Sequence, residues 1–195
     1  MNLDLNIFDV EHNLGQVGKG KILISEPFAQ DNYFYRSIVL LTEHNDDGSF
    51  GFILNKPVSV KSSEILKDIS NLDFNVSIGG PVNQDAVYYL HTLGDKIPES
   101  IHVCENIFWG GDFDVLRNLV KKGSVTEKQL RFFIGYSGWE PQQLNEELSK
   151  KNWIVSQISA DKIMDVKKDY WKNILDSLGE KFKIWANSPK NPSMN

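Results

Sequence analysis

A single cysteine, Cys104, stands in the whole chain, so no intramolecular disulfide can form, in agreement with a reducing compartment. Long apolar runs are also missing. The longest uninterrupted ones are about five residues, against the roughly 20 that span a bilayer. Met1 to Asn13 carries Asp4, Asp9 and Glu11, no basic residue and no sustained apolar stretch, unlike a secretory leader. The expectation is a cytoplasmic chain with no membrane partner. Positive charge is in deficit: 21 Lys and Arg face 26 Asp and Glu, for a net charge of −5. Such a balance repels a phosphate backbone and disfavours direct nucleic-acid binding unless basic residues cluster. The clusters present, Lys121-Lys122, Lys150-Lys151 and Lys167-Lys168, are expected at helix ends, where lysines complement the dipole. Metal ligands are scarce as well. Of His12, His44, His91 and His102, only His102 lies at ligand-like spacing from Cys104, and a structural zinc site wants four ligands. No cofactor or metal is expected.

With 195 residues, 41% of them apolar and 24% charged, the chain fits one ordinary globular domain that needs no staple. Residues 1–18 lack periodicity and are expected as an arm, and 187–195 as a disordered tail. Between them, apolar runs predict strands at Lys21–Ser25, Ser37–Thr42 and Phe50–Asn55. The last two are joined through a polar turn, His44 to Ser49, into an antiparallel hairpin. Further strands are expected at Asn75–Ile78, Val87–His91, Ile101–Cys104, Leu130–Ile134 and Trp153–Val155. Amphipathic spacing predicts helices over Ser62–Ile69, Asp112–Lys121, Pro141–Lys150 and Asp169–Leu178, with Asp112 as a cap and Gly123 and Gly179 as stops. Hairpin groups with irregularly inserted helices point to the α+β class.

Two motifs come close to known chemistry. Gly15 to Lys21 has the spacing of a phosphate-binding loop, but Ile22 replaces the magnesium-binding Ser or Thr and the segment precedes a strand. Gly135-Tyr136-Ser137-Gly138-Trp139 resembles a nucleophile elbow, with Trp139 where glycine is required. It reads as a strand-to-helix turn in which Ser137 and Glu140 form a capping box. A nucleophilic Ser137 with His44 as base is the alternative, and it needs the two side chains within about 3 Å, directly or through one water. Trp139, Trp153, Trp171 and Trp185 are expected mainly as core anchors.

Taken in order, Gly20, Leu23-Ile24, Pro27, Phe34, Arg36-Ser37, Glu43-His44-Asn45, Gly48, Gly51, Asn55 and Pro57 resemble the YqgE/AlgH family of bacterial proteins. The resemblance continues through Gly79-Gly80-Pro81-Val82, Leu90-His91 and the segment from Gly135 to Trp139. Pro141, Gln143-Leu144, Glu147, Trp153 and Trp185 complete it, so that it covers residues 17 to 185. Two departures stand out: Ser25-Glu26-Pro27 replaces the usual Ala-x-Pro, and Gln142 replaces a glycine before Gln143-Leu144. The resemblance implies an α+β fold with a largely antiparallel, bifurcated sheet curled into a pseudo-barrel with flanking helices. It implies no established reaction. Some members are described as transcriptional regulators, but this chain offers no recognition helix.

The expectation is therefore a non-enzymatic protein acting through a protein partner or a small ligand, with a regulatory role suggested by the resemblance alone. The candidate surface is made of Arg36, His44, Asn45, Asn55, Gly79, Gly80, Pro81, Ser137 and Trp139. Hydrolase or transferase chemistry on His44 and Ser137 is the rival, and direct DNA binding the third reading.

Overall fold

A computed structural model describes residues 15–60, 62–66, 69 and 74–189. Its organising feature is one long strand flanked along its length by three others. The strands are β1 (Ile22–Ser25), β2 (Ile38–Asn45), β3 (Gly48–Ile53), β4 (Asn75–Ile78), β5 (Val82–His91), β6 (Ile101–Cys104), β7 (Ile107–Trp109), β8 (Leu130–Trp139) and β9 (Trp153–Ser156). They form a sheet in the order β6-β7-β5-β8-β3-β2-β1-β9, with β4 attached to β8 off that path. All pairings are antiparallel except β4 with β8.

On one side, β8 runs along β5. On the other, its first half (Arg131 to Ile134) pairs with β4 and its second half (Ser137 to Trp139) with β3, so the sheet forks. Gly79 stitches the fork: its N–H donates to Ile134 O (2.8 Å) and its carbonyl accepts from Ile53 N (2.8 Å). A Cβ at Gly79 would lie 2.2 Å from Gly135 O, closer than any side chain tolerates.

Alternation along the strands separates three apolar clusters. Ile22, Ile24, Ile38, Leu40, Phe52, Leu90 and Phe133 face the concave side and pack on α4 (Ala160–Met164), α5 (Tyr170–Ser177) and α6 (Lys183–Ala186). Leu23, Val39, Leu41 and Ile53 face outward beneath α3 (Gln143–Ser149). Phe132, Leu130, Val76 and Tyr89 form the third cluster under α2 (Phe113–Lys121) and the short α1 (Ser62–Ile65). Curling brings the sheet's two ends together. A Cβ at Gly20, just before β1, would meet the Cys104 Cβ at 2.8 Å, and the Glu105 carboxylate accepts from Ala160 N (3.0 Å) at the start of α4. The bifurcated α+β pseudo-barrel expected from the resemblance is the architecture found.

Several local expectations need correction. The hairpin turn is only Asp46-Asp47, because His44, Asn45, Gly48 and Ser49 all belong to the β2–β3 ladder. Gly135 to Trp139 is no strand-to-helix turn. Gly135, at φ +66°, bends the strand, and β3 then takes up its second half. The expected capping box is absent: the Ser137 hydroxyl donates to Gly79 O (3.0 Å), while Gln143 Oε1 accepts from Glu140 N (3.0 Å) ahead of α3. The first helix stops at Ile65, and part of its expected span falls at residues 67 and 68, outside those described. β7 was not foreseen. Asp112 caps α2 as expected, accepting from Asp114 N and Val115 N. Residues 1–14 of the expected arm and 190–195 of the expected tail lie outside the described residues. Within that tail, Ser188 is buried.

Candidate functional site

The glycine motifs serve the fork. Gly80 lies so close to Tyr136 that a Cβ would be 2.2 Å from its carbonyl oxygen, and Pro81 beyond it is exposed. Ser137 is completely buried, with its hydroxyl committed to Gly79 O.

His44 and Asn45 sit together at the end of the β2–β3 hairpin. His44 Nδ1 is 2.8 Å from Ser49 Oγ, and Asn45 Oδ1 accepts from Asp47 N (2.9 Å), closing the turn. The polar groups of His44 and Ser137 thus engage different partners, and the hydroxyl offers no access to a substrate. A second histidine–serine pair, His91 Nε2 to Ser100 Oγ (3.0 Å), is no better placed for catalysis. His91 Nδ1 accepts from Leu93 N (3.2 Å), which puts the neutral ring's proton on Nε2, and the Ser100 hydroxyl donates to Ile97 O (2.7 Å). Nothing is left to draw the serine proton.

Trp139 is 5% exposed and lies in the outer core against Phe34 and Trp153. Its indole N–H donates to Glu147 Oε2 (3.0 Å), and the same oxygen accepts from Trp153 Nε1 (2.6 Å). This is packing rather than a surface. α3 is preceded by its N-cap Gln142, whose φ of +68° is the left-handed conformation that glycine takes most easily. That accounts for the glycine the family commonly carries there.

Arg36 and Asn55 are elsewhere. Asn55 ties the chain at this point, accepting from Ile38 N (2.8 Å) and donating to Arg36 O (2.9 Å). Both residues line a cleft of about 590 Å³ between the fork and the start of α5. Six cationic side chains among the described residues line it: Arg36, Lys56, Arg131, Lys167, Lys168 and Lys172. Asp169 is the one carboxylate among the described residues that line it. Tyr35, Pro57, Val166 and Trp171 supply apolar wall.

The cations are graded in depth. Arg131 is 2% exposed and donates to Ile163 O, to Leu54 O (2.7 Å) and to Ser77 Oγ (3.2 Å). Burial pulls its guanidinium pKa down to about 10, which still leaves it charged at neutral pH. Arg36 packs over the Trp171 ring (5.0 Å), and its Nη2 donates to Ser188 O, Ser188 Oγ and Pro189 O. Its Nε–H is buried without an acceptor. Lys56 is half-buried and donates to Tyr35 O (2.7 Å), and desolvation lowers its pKa against the opposing field of Asp31. Lys167, Lys168 and Lys172 stand exposed at the rim.

These rim lysines occupy the unfavourable end of a helix. Lys121-Lys122 and Lys150-Lys151 close α2 and α3 as expected, but Lys167-Lys168 precede α5 and Lys172 lies in its first turn. A helix N-terminus is already positive, and α5 has no acidic residue in that turn, its one nearby carboxylate being the N-cap Asp169, whose side chain makes no capping bond. Cations gathered there oppose the dipole unless an anion joins them. Of the predicted site residues, then, the cleft gathers only Arg36 and Asn55. Sequence reasoning missed Lys56, Arg131 and the α5 lysines. The one signal was a basic pair ahead of a helix rather than after it.

The similarity of this chain to known proteins covers almost all of it. A family model described as AlgH-like (DUF179) matches residues 22–183. A UPF0301 protein of Bacteroides thetaiotaomicron is 40% identical over 198 residues, covering all of both chains. One of Cytophaga hutchinsonii is 42% identical over 91% of this chain and 98% of its own. Among solved structures, the AlgH protein of Pseudomonas aeruginosa superposes with a TM-score of 0.69 at 24% identity, covering 92% of this chain and 98% of its own. A Corynebacterium diphtheriae protein gives 0.74 at 20% identity, over 96% and 100%. At those identities the two structures speak to the fold alone. The chain belongs to the AlgH-like family.

Proposed function

We propose that this chain is a cytoplasmic binding protein rather than a catalyst, and that its ligand is an anionic small molecule held in the cleft between the fork and α5. The observation that carries the reading is the gathering of six cationic side chains around one cleft in a chain whose net charge is −5. Cations that repel one another and oppose a helix dipole cost stability, and a bound anion offsets that cost. The cleft volume falls in the range of sites for small metabolites and cofactors. A regulatory role, on this reading, consists of reporting the level of that anion to a partner. The hydrolase reading lacks support because the Ser137 hydroxyl is buried and already bonded to Gly79 O.

The test is a thermal-shift titration with a panel of anionic metabolites at fixed ionic strength. A ligand at about 100 times its dissociation constant adds about 2.7 kcal/mol, a rise of several degrees. The stabilisation should saturate and should disappear in Lys168→Glu/Lys172→Glu. Absence of saturable stabilisation by every anion, or its survival in that variant, overturns the reading.

A further inference from the structure

We infer that the cleft selects a compound bearing two or more phosphoryl groups. This rests on the anion-binding reading above and specifies its chemistry.

The argument turns on which donors remain available. A guanidinium fork grips a planar carboxylate, or two oxygens of a phosphoryl group, through two parallel N–H bonds. Both arginines of the cleft have spent much of that capacity on the protein. Arg36 Nη2 serves three acceptors in Ser188 and Pro189, and Arg131 serves Leu54 O, Ile163 O and Ser77 Oγ. They are fixed sources of positive potential in the wall and floor. Apart from the single Arg36 Nε–H, which cannot by itself form a two-pronged grip, the donors with capacity to spare are ammonium groups. Lys56 uses one of its three N–H bonds on Tyr35 O, Lys172 one on Asn187 Oδ1, and Lys167 is only loosely paired with Asp165, at 3.8 Å. An ammonium is a compact point charge without a preferred plane, so several of them arriving from different directions can meet the three terminal oxygens of a tetrahedral phosphoryl group, where a flat carboxylate offers two. The uncapped first turn of α5 adds oriented backbone dipoles of the same sign at the same rim.

Depth supplies the second part. Lys56 and the two arginines lie within the cleft, and Lys167, Lys168 and Lys172 lie at its mouth. One small anion meets one tier and leaves the other uncompensated. A chain of phosphoryl groups running from floor to rim meets both, while Tyr35, Pro57 and Val166 leave apolar wall for whatever the phosphoryl groups are attached to.

Isothermal titration of the full chain with inorganic pyrophosphate, tripolyphosphate, orthophosphate and citrate, at matched ionic strength near neutral pH, tests the inference. Pyrophosphate and citrate carry similar net charge there, so their comparison isolates phosphoryl from carboxylate geometry. The expected result is binding of pyrophosphate or tripolyphosphate about tenfold tighter than citrate or orthophosphate, a difference of about 1.4 kcal/mol. Lys56→Gln and Lys168→Gln/Lys172→Gln should each weaken it about tenfold, with thermal melts of the free protein no lower than wild type confirming their folding. Citrate binding as tightly as pyrophosphate overturns the phosphoryl assignment and leaves the anion reading standing. Orthophosphate binding as tightly as pyrophosphate overturns the requirement for more than one group. No saturable heat with any of the four overturns both.

Discussion

Removing the Glu147 carboxylate should unfasten the outer core, because one of its oxygens holds two indoles. Oε2 accepts from Trp139 Nε1 at 3.0 Å and from Trp153 Nε1 at 2.6 Å, while Oε1 accepts from Gln143 Nε2 at 3.0 Å. The two rings are 5% and 4% exposed, so neither N–H finds water easily when the carboxylate is gone. A hydrogen bond to a charged group is worth about 1.5–3 kcal/mol net, and Glu147 is itself only half-buried, which argues for the lower end. Two such bonds give about 3 kcal/mol for Glu147→Ala, and Glu147→Gln, which keeps one carbonyl oxygen, should lose about 1 kcal/mol. For a chain of this size the alanine variant should melt about 6–12 °C lower. Urea unfolding followed by far-ultraviolet circular dichroism measures the loss without relying on the tryptophans being altered. Trp139→Phe supplies the control: it should cost less in the Glu147→Ala background than in the wild type, by about 1–2 kcal/mol. A loss under about 1 kcal/mol for Glu147→Ala, or the same cost of Trp139→Phe in both backgrounds, refutes the assignment of Trp139 to structure through this carboxylate.

Other perturbations probe the fork and its surroundings. Gly79→Ala pushes a Cβ to 2.2 Å from Gly135 O and should cost at least about 3 kcal/mol, whereas Ser137→Ala should cost about 1 kcal/mol for the lost bond to Gly79 O; equal urea midpoints for the two variants would contradict the stitched fork. Arg131→Met leaves the Leu54 and Ile163 carbonyls without their donor and should lose about 2–4 kcal/mol, less whatever is regained by removing a buried charge. Wild-type stability in that variant would show that the guanidinium bonds hold nothing. Burial lowers the His91 pKa, against the opposing effect of its bond to Gly110 O. The unfolded state therefore binds the proton more readily than the folded state. This contribution to stability is present in full above the ordinary histidine value of about 6.5 and is lost as pH falls through the lower folded value. Urea midpoints at successive pH values should fall in that window in the wild type and fall less steeply in His91→Gln, and identical slopes would exclude His91 as the source.

Local periodicity made most of the strands legible, because β1, β2 and β9 carry apolar runs and β4 alternates polar and apolar residues. It failed where a partner strand decides the outcome. Nothing in Gly135-Tyr136-Ser137-Gly138-Trp139 says that β3 will extend the ladder, and two glycines with a serine look like a turn until Ser49, Phe50 and Gly51 are placed beside them. β7 was missed because Ile107 to Trp109 is three residues long and exists through its neighbours β5 and β6. The cleft was harder still. Arg36, Leu54, Arg131 and Lys168 are far apart in sequence, and their convergence is a product of topology. Family resemblance drew attention to His44, Ser137 and Trp139; burial and committed hydrogen bonds account for Ser137 and Trp139, while the half-buried His44 is engaged by Ser49 at the hairpin end.

The motif glycines and the cleft are nevertheless connected. A sheet that forks must leave a gap where β3 and β4 part from each other along β8, and the floor of the cleft lies at that gap. Arg131, on the half of β8 paired with β4, reaches Ser77 Oγ on β4 and Leu54 O just past β3. The guanidinium thus spans the two branches from below, as Gly79 spans them through its backbone. The next residues after Leu54 are Asn55, which fixes the Arg36 backbone, and Lys56, whose ammonium reaches Tyr35 O. Each cleft cation contributed by this side of the molecule is therefore set by the position of the branches, and that position depends on close approaches only glycine allows at 79 and 80. Residues that touch no ligand can in this way be as necessary to the cleft as the lysines that line it.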